Sequence, residues 1–122
     1  MNRRQAVAAL AAFSVTRYAG AEPDPLESRL IQQLIELVGS SKEITFIRNG
    51  DDATPQAAAK HLRDKYDYFH KDIVTADDFI RLCATRSEMT KKPYEVRFAD
   101  GRKQAAAEWL ASQLKRMRAA AK

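Results

Sequence analysis

Whatever this chain folds into has to be built from residues 22–122, because residues 1–21 read as a cleavable export signal. Arg3-Arg4 supplies a positive start, Ala6 to Val15 is apolar on all sides, and Ala19-Gly20-Ala21 puts small residues at the two positions a signal peptidase reads. Cleavage is expected before Glu22, with Ala19 and Ala21 as the recognised residues. The apolar stretch is too short for a membrane span, which takes roughly 20 residues, and no later stretch is longer. The n-region fits an ordinary Sec signal better than a twin-arginine one, and a lipid anchor is excluded because the only cysteine, Cys83, lies far from the cut. The expected location is the bacterial periplasm, with no membrane span in the mature form.

Taking the leader away changes the electrostatics. The full chain has 21 basic and 16 acidic residues; Arg3, Arg4 and Arg17 belong to the leader, which leaves 18 against 16. The remaining charges are interspersed, so no nucleic-acid footprint is expected. One domain is expected over 22–122, long enough for a single core without staples. A single cysteine cannot form an internal disulfide, and Cys83 shares the apolar side of a helix with Phe79 and Leu82. With no neighbouring His to activate it, it reads as a buried small hydrophobe.

Four helices and two strands account for the rest. Asp24 caps a first helix with Pro25 at its first position and Glu27 completing a capping box, worth about 1 kcal/mol. Leu30, Leu34 and Leu37, with Ile31, Ile35 and Val38 beside them, form its core face, and Gly39 ends it. Ile44 to Arg48 is a strand stopping at the Asn49-Gly50 turn. Thr54-Pro55 starts a second helix running to about Phe69, with Ala59, Leu62, Tyr66 and Phe69 inward; Thr75 caps a third, ending near Thr85. Tyr94 to Phe98 alternates as a half-buried strand before the Asp100-Gly101 turn, and a last helix carries Trp109, Leu110, Leu114 and Met117. The expected fold is α+β and helix-rich, in the order α-β-α-α-β-α, with a two-stranded antiparallel sheet packed on helices. The two strand-turn-helix stretches echo one another, Gln56-Ala57-Ala58-Ala59-Lys60-His61-Leu62 against Gln104-Ala105-Ala106-Ala107-Glu108-Trp109-Leu110.

Several of these segments together carry a family resemblance. Phe46 to Gly50, Ala58 to Lys65, Thr75 to Ile80, Ser87, Pro93-Tyr94 and Trp109-Leu110 resemble, in that order, the pattern of the bacterial domain of unknown function 5329. The loop before Pro93-Tyr94 departs from that pattern: where the family is rich in serine and glycine, this chain has Ser87-Glu88-Met89-Thr90-Lys91-Lys92. The resemblance implies a small exported protein and supplies no reaction.

The polar residues of those segments are the candidates for a site. His61 and Lys65 are four apart on one helix and therefore neighbours, and Arg48-Asn49 ends the adjoining strand. With Tyr94 and Ser87 they can line a cationic pocket suited to a carboxylate or phosphate. The plainer alternative pairs Arg48 with Asp51 or Asp64 and leaves His61 half-buried at the core edge with a hydrogen bond. No cofactor or metal is expected: His61 and His70 are nine apart, whereas helical metal ligands want a spacing of four. No nucleophile elbow or comparable motif is present, so the reading leans away from an enzyme. A non-catalytic envelope module binding a partner protein or cell-wall component is favoured; the alternative is a small hydrolase or transferase using His61 as general base.

Overall fold

A computed structural model of the chain describes residues 24–121; the expected export signal and its cleavage site at Ala19, Ala21 and Glu22 lie outside them. Asp24 caps the first helix α1 (Pro25–Ser40) by accepting the Glu27 N–H at 2.9 Å. Glu27 does not close the expected capping box. Its carboxylate turns instead to the start of the third helix, α3 (Ala76–Cys83), where Oε1 accepts the Ala76 N–H at 2.8 Å and the Arg118 guanidinium at 2.9 Å. A reciprocal box does exist in α3, between Thr75 and Asp78. Gly39 lies inside α1 rather than ending it: a Cβ there would meet the Ala59 Cβ of α2 (Pro55–Phe69) at 3.1 Å. The residue is small because two helices cross at it.

The sheet has four antiparallel strands, not two. β1 (Ile44–Arg48) and β3 (Glu95–Phe98) pair as expected, with Ile44 opposite Phe98 and Phe46 opposite Val96. Each also turns back on itself, β1 into β2 (Asp51–Ala53) and β3 into β4 (Lys103–Ala105), giving the order β2-β1-β3-β4. Both added strands have three residues and unpromising composition, which is why they read as turn and helix start. Hairpin closure makes them: Asn49 (φ 55°) and Gly50 (φ 84°) are both left-handed, the backbone a two-residue hairpin of this twist requires. The observed element order is therefore α-β-β-α-α-β-β-α, and α4 (Ala106–Ala120) starts after Gln104 and Ala105 have served as strand.

The echo consists of two ββα units. Corresponding boundaries lie 51 positions apart: 44 and 95 for the strands, 55 and 106 for the helix starts, 69 and 120 for the helix ends. The similar heptapeptides, 48 apart, are thus one helical turn out of step with the element boundaries. They still bring equivalent residues inward, Ala58 with Ala106 and Leu62 with Leu110.

α2 and α4 pack on the sheet, and α1 and α3 pack against those two helices. Ile44, Phe46 and Val96 face them and join a core that includes Leu34, Ile35, Leu62, Phe79, Leu110 and Leu114. On the other side, Ile47 is only 5% exposed although it is not part of that core. Arg97 of β3 makes two hydrogen bonds, 3.1 and 2.7 Å, to the Asp52 carboxylate of β2; with β1 between them, this ion pair crosses the outer face beside Ile47. Cys83 is fully buried, as its helical position implied, and burial pushes its thiol up to about 12.

Candidate functional site

Five of the six candidate residues converge on one cleft of about 280 Å³: Arg48, His61, Lys65, Ser87 and Tyr94. Three parts of the fold deliver them. Arg48 is the last residue of β1, His61 and Lys65 stand on successive turns of α2, and Tyr94 immediately precedes β3 after the loop that holds Ser87. The β1–β3 pairing brings Tyr94 level with Arg48, and the α2 packing lays His61 over the Tyr94 ring, edge-on at 5.4 Å. Asn49, the sixth, does not line the cleft. Its side-chain oxygen accepts the Thr90 hydroxyl and ties the β1–β2 turn to the loop.

A chain of hydrogen bonds forms the floor. Lys65 is 8% exposed, and its ammonium donates to the Arg86 carbonyl at 3.0 Å, the Glu88 carboxylate at 3.3 Å and the Tyr94 hydroxyl at 3.4 Å. A lysine has three donors, so this set occupies all of them. Tyr94 accepts from Lys65 and lies 2.8 Å from His61 Nε2, so the arrangement that uses its own proton has the phenol donate to the imidazole. With the proton so placed, the imidazole is the neutral Nδ1–H tautomer. Electrostatics agree: burial, and then the charges of Arg48 and Lys65, push His61 down to about 4 against a smaller opposing pull from Asp64.

Ser87 is buried because its hydroxyl works for the loop, accepting the Met89 and Thr90 N–H groups at 3.3 Å each, while the backbone bonds Ser87 N–H to Lys92 carbonyl and Lys91 N–H to Ser87 carbonyl close the turn. Arg48 is different. It is exposed, and among the described residues it forms neither of the ion pairs expected with Asp51 and Asp64; Asp64 is held by Lys60 at 2.8 Å. His61 matches the plainer alternative in being half-buried with one hydrogen bond.

Residues that the sequence did not offer as site candidates complete the walls. Tyr68 (81% exposed) and Met89 (93% exposed) rim the cleft, and Phe69 stands behind Tyr68 with their rings edge-to-face at 4.8 Å. The signal for Tyr68 was its position: 61, 65 and 68 recur at helical spacing, so an aromatic at 68 shares the His61 and Lys65 face. Neither candidate nucleophile serves His61. The Cys83 thiol is buried and held protonated, and among the described residues no hydrogen bond joins Ser87 Oγ to the imidazole. No group of three or more His, Cys, Asp or Glu among the described residues is placed to hold a metal, and no helix among them is long and apolar enough to cross a membrane.

Residues 25–118, from the start of α1 to the last turn of α4, match the family of unknown function DUF5329. The chain is 34% identical over 91 residues to the uncharacterized protein YfeK of Salmonella typhimurium strain LT2, covering 75% of this chain and 76% of that protein. No solved structure matches the chain significantly. By the extent of both matches, the chain belongs to the DUF5329 family.

Proposed function

We propose that the protein is a non-catalytic binding module of the bacterial cell envelope, exported to the periplasm, which holds an anionic group of a partner protein or cell-wall component in the Arg48, His61 and Tyr94 cleft. The observation that carries this reading is the lone guanidinium of Arg48 beside a polar floor whose other charges are already matched. Lys65 is neutralised by Glu88 and Asp64 by Lys60, so an incoming anion meets one cation without an internal partner among the described residues. Arginine there offers a planar, two-pronged donor suited to carboxylate or phosphate oxygens. A general-base role for His61 is less well supported, because its Nε2 is occupied by Tyr94 and a base near pKa 4 is weak at neutral pH.

Two measurements test the reading. N-terminal sequencing of the protein recovered from the envelope fraction is expected to begin at Glu22; a chain still starting at Met1 removes the export half. In-cell crosslinking from position 68, followed by mass spectrometry, is expected to yield an adduct that the Arg48→Ala, His61→Ala double variant loses. Loss of stability in that variant with an unchanged adduct means the two residues are structural.

A further inference from the structure

The composition of the cleft narrows the anion it takes. Resting on the binding reading above, we infer that the ligand is a monoanionic carboxylate carried on a small apolar or aromatic body, with Arg48 taking the carboxylate and the Tyr68, Phe69 and Met89 wall taking the body.

Charge counting favours one negative charge over two. Arg48 is the only lining cation without an internal partner among the described residues, while the Asp64 and Glu88 carboxylates stand at the same cleft. A phosphate dianion would bring a second charge toward those carboxylates, and in a half-buried site such a mismatch is poorly screened. His61 does not supply the missing cation at neutral pH, since its imidazole is held neutral by burial and by the neighbouring Arg48 and Lys65 charges. It stays a neutral ring tied to Tyr94 through Nε2.

The walls argue for an apolar body. Leu26, Tyr68, Val74 and Met89 are the exposed large hydrophobic residues of the described chain, and two of those four meet at this cleft. An exposed aromatic rigidly set against a second ring offers a contact face at little entropic cost, and Met89 can adapt to irregular shapes. Inorganic phosphate or a fully hydroxylated phosphosugar would leave that surface in water. A volume of about 280 Å³ admits a ring or a branched chain of similar size, below the span of typical drug-sized sites.

The test titrates the purified exported protein with phenylacetate, 2-phenylethanol and inorganic phosphate, followed by 1H–15N NMR at neutral pH. Phenylacetate is expected to shift the amide resonances of His61, Tyr68 and Met89 saturably. Affinity should fall about 10-fold in Arg48→Gln and several-fold in Tyr68→Ala; both side chains are exposed, and unchanged unfolding midpoints establish that the variants are folded. 2-Phenylethanol and phosphate are each expected to bind at least 10-fold more weakly than phenylacetate. Phosphate binding the same residues as tightly as phenylacetate, or phenylacetate affinity unaltered in Tyr68→Ala, overturns the carboxylate-on-apolar-body assignment while leaving an anion site. If neither phenylacetate nor phosphate moves a cleft resonance at millimolar concentration, the anion-binding reading falls with it.

Discussion

Tyr94 and His61 share a hydrogen bond of 2.8 Å between the buried phenol and Nε2 of the imidazole. Its basicity is lowered because the charged form would sit half-buried between Arg48 and Lys65. In the unfolded chain His61 regains an ordinary value near 6.5. Between pH 6.5 and about 4 the unfolded state therefore binds more protons than the folded one, and stability falls as the pH is lowered through that window. Discounted for solvent screening of a half-buried ring, the loss is expected to be about 1 to 2 kcal/mol. Urea midpoints measured at pH 7, 5.5 and 4 check it, and His61→Gln should flatten the 7-to-5.5 interval.

Tyr94→Phe keeps the ring in the core and removes only the hydroxyl. Lys65 then loses one of three acceptors and His61 Nε2 loses its hydrogen-bond partner, both at a largely buried site. A cost of about 1 to 3 kcal/mol is expected. It should appear in the urea midpoint, with the NMR signals of His61 changing more than those of α1.

Glu27 joins three helices, since its carboxylate accepts from Ala76 at the start of α3 and from Arg118 near the end of α4. Asp77 binds the same guanidinium at 2.9 Å but is two-thirds exposed. Glu27→Ala is expected to cost about 1 to 2 kcal/mol, as loss of a helix cap does. Asp77→Ala should cost less than about 1 kcal/mol, as exposed ion pairs do. Equal costs in thermal or urea unfolding would contradict this division.

Gly39→Val tests the helix crossing. A Cβ at 39 already approaches Ala59 Cβ at 3.1 Å, and further carbons must push α1 from α2. Overpacking of this kind costs about 1 to 3 kcal/mol. A Gly39→Val, Ala59→Gly double variant should recover part of the loss.

The helices were legible because their signals are local: Asp24, Thr54 and Thr75 each cap the helix that follows, and the periodic apolar faces of α1 and α4 lie in the core. The central strand pair was legible from β-branched and aromatic residues. β2 and β4 were not, because Asp51-Asp52-Ala53 and Lys103-Gln104-Ala105 gain strand character only from a partner already in place. Glu27 completed a capping pattern on paper, yet a helix start and a guanidinium from far along the chain took its carboxylate; no local window contains either. In the cleft, Arg48, His61, Lys65, Ser87 and Tyr94 stood out as the polar residues of the segments that carry the family resemblance, with His61 and Lys65 placed together by helical spacing. The apolar wall escaped notice because a tyrosine or methionine between charged neighbours looks no different whether it faces solvent or a cavity.

The two hairpins also set the order in which this protein is able to assemble. Each closes over a handful of residues, whereas the β1–β3 ladder joins positions roughly 50 apart, such as Ile44 with Phe98. Closing a loop of that length carries a larger entropic cost than closing either hairpin, so the seam between the two ββα units is the non-local step. Until it forms, β1 and β3 each present an unsatisfied backbone edge, and the cleft does not exist, because Arg48 and His61 belong to one unit and Tyr94 to the other. The same ladder that completes the site is thus what guards the nascent chain against pairing with a neighbour.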